Sequence, residues 1–160
     1  MVDELDGRLL ALLESEPRIG VLECSRRLGV ARGTVQARLD RLVSRGVIRS
    51  FGPQLDPAAL GFAVTAFVTL ELRQGRGHAA VAADLAAIPE VLEAYTITGA
   101  GDMFCRLVAR SNSDMQRVID KVLEVPGIVR TSTVIALATQ VPYRVRPLLE
   151  AAAEPSATEC

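Results

Sequence analysis

Residues 21–50 carry Arg26, Arg27, Arg32, Arg38, Arg41, Arg45 and Arg49 against only two acids, Glu23 and Asp40. A guanidinium offers two parallel donors that match a guanine edge, and a glutamine amide does the same for adenine. Arginine on phosphate supplies sequence-independent, salt-dependent affinity. Base contacts concentrate in the first turns of a recognition helix. The run ARGTVQARLDRLVSRG therefore assigns Arg32, Thr34, Gln36 and Arg38 to the major groove of double-stranded DNA. Arg26, Arg27, Arg41, Arg45 and Arg49 are better placed for backbone phosphates. The rival reading is an ordinary solvated helix face, and the surrounding elements decide between the two.

Those elements form a compact set. Val35, Leu39 and Leu42 repeat at i, i+4 and i+7, the stripe of an amphipathic helix over 31–45 that Gly46 ends. Gly29 stands where a preceding short helix must close in a left-handed conformation, which glycine adopts at little cost. Leu22, Leu28 and Val30 are expected to turn inward around it. A first helix over 3–15 has its own stripe of Leu5, Leu9, Leu12 and Leu13, with Asp3 as its cap. Residues 47–51 read as a short strand. Three helices and a strand in this order predict a winged helix-turn-helix domain over residues 1–50.

The whole chain bounds this reading. At 160 residues, 49% hydrophobic, it holds one medium domain or two small ones with a real core. Its net charge of -1 argues against a nucleic-acid protein, but the arginines are concentrated locally while the acids cluster in the first helix and the tail. Cys24, Cys105 and Cys160 are odd in number and far apart, suiting neither a disulfide framework nor a metal site. No apolar run of about 18 residues occurs, so no membrane span is expected. The acidic start MVDELDGRLL lacks a signal-peptide pattern, and a cytoplasmic location is expected. His78 is the only histidine, and no nucleophile–base pair or phosphate loop accompanies it, so an enzyme is not expected.

The second half changes character. Residues 51–61, rich in glycine and proline, read as a linker with a short strand at 54–55 and a helical turn at 57–60. FAVTAFVTLEL then alternates, with Val64, Ala66, Val68 and Leu70 on one side and Thr65, Phe67, Thr69 and Glu71 on the other, as in a half-exposed strand. An alanine-rich helix over 77–88, strands over 91–98 and 102–111, a helix from a Ser113–Gln116 capping box to Val125, and a last strand over 128–141 complete the pattern. The segment IPEVL recurs as VPGIV, each copy a helix end leading into a strand. Duplicated halves of this kind give βαββαβ, the ferredoxin-like arrangement, over residues 62–146. Right-handed crossovers place both helices on one sheet face. The other face, populated by Ala, Thr, Val and Phe, is too apolar to leave in water and predicts a homodimer. Residues 147–160 read as a flexible tail.

In this order the pieces LDGRLLALLESEPRIG, LECSRRLGVARGTVQARLDRLVSRGVI, LDPAALG and ITGAGDMFCRLVA resemble the Lrp/AsnC (feast/famine) transcription regulators over roughly residues 2–146. The resemblance implies an α+β chain: a DNA-binding N-terminal domain and an ACT-like (RAM) C-terminal domain. That C-terminal domain assembles dimers and larger rings, tetramers or octamers. It also implies that small effectors, commonly amino acids, bind between dimers. The family's Gly-Asp-x-Asp loop falls on Gly99, Ala100, Gly101 and Asp102, with Ala100 in place of the first Asp. Its Thr-Arg-Thr-like segment falls on Thr131, Ser132 and Thr133.

A free amino acid needs a carboxylate for its ammonium and N–H or hydroxyl donors for its carboxylate. Asp102 can serve the first, and the glycine backbone with Thr131 and Thr133 the second. A tight hairpin with a helpful Asp is the plainer reading of residues 99–102. No other cofactor and no metal is expected. The functional alternative is an amino-acid-binding module whose N-terminal helices dock a protein instead of DNA.

Overall fold

A computed structural model describes residues 2–75 and 77–153. The described chain divides into two compact units, one made of residues up to 53 together with those from 141, the other of residues 54–140.

In the first unit α1 (Glu4–Ser15), α2 (Val21–Leu28) and α3 (Arg32–Ser44) share one core of Leu9, Cys24, Val35, Leu39 and Leu42, all buried. Asp3 caps α1 as expected and does so reciprocally. Its carboxylate accepts from the Asp6 N–H at 2.8 Å, and the Asp6 carboxylate accepts from the Asp3 N–H at 3.2 Å. Gly29 closes α2 at φ 69°, so the turn between α2 and α3 forms where the sequence places it. Leu22, by contrast, faces solvent and Cys24 takes the inward place. The strand expected at 47–51 does not form; the chain there bends and runs irregularly, anchored by the Val47 and Ile48 N–H groups on the Leu42 carbonyl. With no partner strand supplied by this unit, those apolar residues have no ladder to join.

The expected tail contains a helix. In α6 (Arg146–Ala153) proline occupies the first turn, where its missing N–H costs nothing, and the helix packs against α1. Residues 154–160, including Cys160, lie outside the described residues. Two leucines and three alanines over eight residues give no sustained stripe, so α6 is not legible in its own sequence.

The second unit is a four-stranded antiparallel sheet of order β2-β3-β1-β4, built from β1 (Val64–Leu72), β2 (Val91–Thr96), β3 (Met103–Ala109) and β4 (Ile128–Ala136). Helix α4 (His78–Ala86) joins β1 to β2 and α5 (Asn112–Leu123) joins β3 to β4, giving the expected βαββαβ order. Ala66, Val68 and Leu70 of β1 sit opposite Leu107, Cys105 and Met103 of β3, and all six are buried with Val81, Leu85, Met115, Val118 and Val122 of the helices. Burial pushes the Cys105 thiol up to about 11, so it behaves as a small apolar side chain. The cap of α5 is Ser111, accepting from the Asp114 N–H, instead of the expected Ser113. Residues 54–55 form no strand, while 57–60 make the expected turn.

Candidate nucleic-acid interface and effector loop

Helix α3 has one side in the core and the other free. Its exposed side presents Arg32, Gly33, Thr34, Gln36, Ala37, Asp40 and Ser44. Gly33 and Ala37 were not singled out in the sequence, although their helical spacing from Val35 puts them opposite the core. Their small size lets the helix backbone approach another surface closely. Ala31 and Gly20, at the starts of α3 and α2, supply no side-chain cap, so the first N–H groups of both helices remain available to an anion. Arg32 and Arg49 are exposed and make no ion pair among the described residues. Arg45 is exposed as well. The Gln36 amide donates to Asp40 at 2.9 Å along the same face.

Arg26, Arg27, Arg38 and Arg41, all expected contact residues, are paired with acids of the same chain. Arg38 is only 22% exposed and donates from Nη1 to Asp3 Oδ2 at 2.6 Å and to Asp6 Oδ1 at 2.7 Å. Arg41 donates to Asp6 Oδ2 at 2.7 Å. The Asp6 side chain is fully buried, and a buried carboxylate demands such partners. Asp3 is held below its ordinary 3.8, first by the hydrogen bond from Arg38 and then by the Asp6 N–H. Arg38 therefore does not point into open groove space as the sequence suggested. Three residues beyond Val35, it falls on the flank that meets α1. Arg27 pairs with Glu16 and, at 3.1 Å, with Glu23; Arg26 lies 3.7 Å from Glu23. The last three are surface pairs of small energy, easily exchanged for phosphate.

The loop between β2 and β3 is positioned by main-chain bonds. Gly99 and Gly101 adopt φ 107° and 99°, which excludes other residues without strain. The Asp102 N–H donates to the Leu70 carbonyl at 2.8 Å, and the Asp102 carbonyl accepts from the Ile97 N–H at 3.1 Å. Pairing of β1 with β3 ends at Leu70–Met103, so the Leu72 N–H lacks a strand partner on that side. Asp102 Oδ2 accepts it at 2.6 Å. Asp102 is thus a brace for the end of β1, with one carboxylate oxygen already used. Thr131 and Thr133 lie opposite Leu70 and Val68 on the other side of β1. One chain therefore sets the loop and the two threonines on either side of a strand and does not gather them into a single cup.

On the sheet face away from the helices, Phe67 and Phe104 stack at 5.7 Å between ring centres. Tyr95 and Val134 flank them, 53% and 61% exposed. The register places Tyr95 opposite Phe104 and Val134 opposite Phe67, so the four form a continuous apolar row. Among the described residues no group of three His, Cys, Asp or Glu side chains could hold a metal ion, and no helix is long and apolar enough to cross a membrane.

A helix-turn-helix unit with an exposed second helix, joined to a ferredoxin-like unit with a glycine loop at its strand ends, defines a ligand-responsive DNA-binding regulator. Residues 2–49 match the winged helix-turn-helix DNA-binding family and residues 65–145 the Lrp/AsnC ligand binding domain. The chain belongs to the Lrp/AsnC family of transcriptional regulators and is not an enzyme. It is 31% identical to the HTH-type transcriptional regulator FL11 of Pyrococcus horikoshii over 86% of this chain and 91% of that protein. The structure of Escherichia coli AsnC superposes with a TM-score of 0.84 at 28% identity, covering 92% of this chain and 99% of AsnC. The feast or famine regulatory protein of Mycobacterium tuberculosis, complexed with L-methionine, gives a TM-score of 0.80 at 26% identity, covering 91% of this chain and 98% of that one.

Proposed function

We propose that this regulator reads an operator through the N-terminal half of α3, with Arg32, Thr34 and Gln36 at base edges and Gly33 and Ala37 permitting close approach. Arg26, Arg27, Arg45 and Arg49, with the free N–H groups of α2 and α3, hold phosphates. The observation that carries this reading is the exposed side of α3, whose first turn combines an unpaired Arg32 with two small residues and an uncapped start. The test is fluorescence anisotropy of the full chain with a labelled mixed-sequence duplex across a salt series. Affinity should fall linearly with salt on logarithmic axes. No binding at low salt would reject the reading and favour protein docking.

The stacked Phe67–Phe104 pair and its flanking Tyr95 and Val134 support a homodimer through that sheet face, and dimers of this kind a tetramer or octamer. An amino acid is the proposed effector, bound where Gly99, Ala100, Gly101 and Asp102 of one copy meet Thr131 and Thr133 of another. The separation of loop and threonines by β1 within one chain supports a site completed by a second copy. Ala100 removes one carboxylate, so ammonium recognition rests on the Asp102 oxygen not bonded to Leu72. Calorimetry against an amino-acid panel that begins with L-methionine, the ligand of the mycobacterial relative, tests this. Binding unaffected by Thr131→Ala and Thr133→Ala would move the site elsewhere. The regulator acts in the cytoplasm on this reading.

A further inference from the structure

Matched spacing links the first turn of α1 to the middle of α3. Asp3 and Asp6 stand three residues apart, as do Arg38 and Arg41, and the four close into one cluster. Asp6 is its centre: fully buried, it accepts from Arg38 at Oδ1 and from Arg41 at both oxygens, at 2.7–2.9 Å. The cluster contains two carboxylates and two guanidiniums, so it is neutral. It joins two helices 32 to 35 residues apart in sequence.

We infer that Asp6 is a positioning residue for operator recognition: through Arg38 and Arg41 it fixes the rotation of the recognition helix and withholds both arginines from phosphate. This deepens the proposed DNA reading and rests on it. The physical argument is geometric. Leu9, Val35, Leu39 and Leu42 make a greasy seam along which a helix can roll or slide at small cost, because apolar contact is non-directional. Charge-assisted bonds from two guanidiniums to one buried carboxylate are directional and forbid that motion. Base readout tolerates little misplacement, since each bidentate contact needs both donors aligned. The same pairing keeps two positive charges out of the sequence-independent term, which favours wrong sites as strongly as right ones.

The experiment compares two duplexes, one selected from a random pool by the wild-type chain and one scrambled from it, over a salt series below the unfolding temperature of each variant. Arg38→Met and Arg41→Met are expected to leave the salt slope on the scrambled duplex unchanged. Arg32→Met or Arg49→Met, by contrast, lowers that slope by about one. Asp6→Asn is expected to steepen the slope, because two arginines are freed for phosphate, while the preference for the selected duplex falls roughly tenfold, about the effect of one mismatched base pair. Asp3→Asn, at a half-exposed member of the cluster, should show the same pair of changes in weaker form and serves if Asp6→Asn does not fold. A slope lowered by about one in Arg38→Met or Arg41→Met identifies a phosphate contact and overturns the inference. So does an undiminished preference in folded Asp6→Asn, or in Asp3→Asn where that variant stands in. A wild-type chain that retains no duplex from the pool, even at low salt, overturns the DNA reading itself.

Discussion

Gly101→Ala should be the most costly single-methyl change in the loop between β2 and β3. A Cβ built on Gly101 would sit 2.3 Å from Thr69 Cγ2 and 3.2 Å from the Leu70 carbonyl oxygen. Threonine is stiff at χ1, so its methyl group cannot swing aside freely. Forcing it off its rotamer costs roughly 0.5–1.5 kcal/mol. Holding alanine at a positive φ costs about 1–3 kcal/mol more. The sum is about 1.5–4.5 kcal/mol, a fall in melting temperature on the order of 10–30 °C for a unit of this size. Gly99→Ala supplies the control, since it has a similar φ but open space around the new methyl group. It should lose only the conformational part. Thr69→Ser removes the clashing carbon, so Gly101→Ala/Thr69→Ser should recover about 1 kcal/mol relative to additivity. Differential scanning calorimetry of the four variants measures these differences. Equal costs at Gly99 and Gly101, or no recovery with Thr69→Ser, would refute the close-approach argument.

Phe67→Asp should disperse the assembly. In a two-fold interface the change counts twice, each buried phenyl being worth about 1.5–3 kcal/mol, and an unchanged mass in light scattering would contradict the assigned face. Glu90 is 7% exposed and accepts from Arg117 Nη2 at 2.8 Å, tying α5 to the start of β2. Glu90→Ala should cost about 1–3 kcal/mol in urea unfolding, and Glu90→Gln less, since its amide oxygen still accepts from Arg117; the reverse ranking would discredit the pairing. Asp3 and Asp114 lie below their ordinary 3.8, chiefly through Arg38 and Arg117. Burial is the largest single influence on Glu90 and pushes it up, yet Arg117, its own backbone bond and the Lys121 charge together hold it below its ordinary 4.5. A lowered folded-state value means stability that is present above the unfolded value and lost as pH falls through the folded one. Urea midpoints should therefore drop as pH falls below about 4.5, and Asp114→Asn should flatten that drop; an unaltered acid profile would count against the pairing.

Much of this architecture could be read from residue order. Val35, Leu39 and Leu42 announce the buried side of α3 because three apolar residues at helical spacing leave one orientation. Ala66, Val68 and Leu70 do the same for β1 at a period of two. Gly29, Gly46, Gly99 and Gly101 mark turns because positive φ is costly elsewhere. What escaped were choices made by distant partners. Arg38 looks free within its own helix, and only the acids of α1 reveal its engagement. Asp102 looks like a ligand for ammonium until the end of β1 pairing leaves the Leu72 N–H without a partner. Leu22 and Cys24 compete for the inward place on α2, and hydrophobicity alone favours the wrong one. The helix α6 depends on the surface of α1, and its own eight residues carry too little pattern to declare it.

Because α6 packs on α1, the sheet unit is an insert within the DNA-reading unit, entered after residue 53 and left before residue 141. Exchange of sensors between such regulators therefore needs two junctions. A chimera cut once, near residue 53, would carry α1 away from its companion helix and leave a foreign α6 behind. The order of synthesis has the same asymmetry. Helix α1 leaves the ribosome well before α6, so the reading unit gains α6 only after the whole sheet has been made.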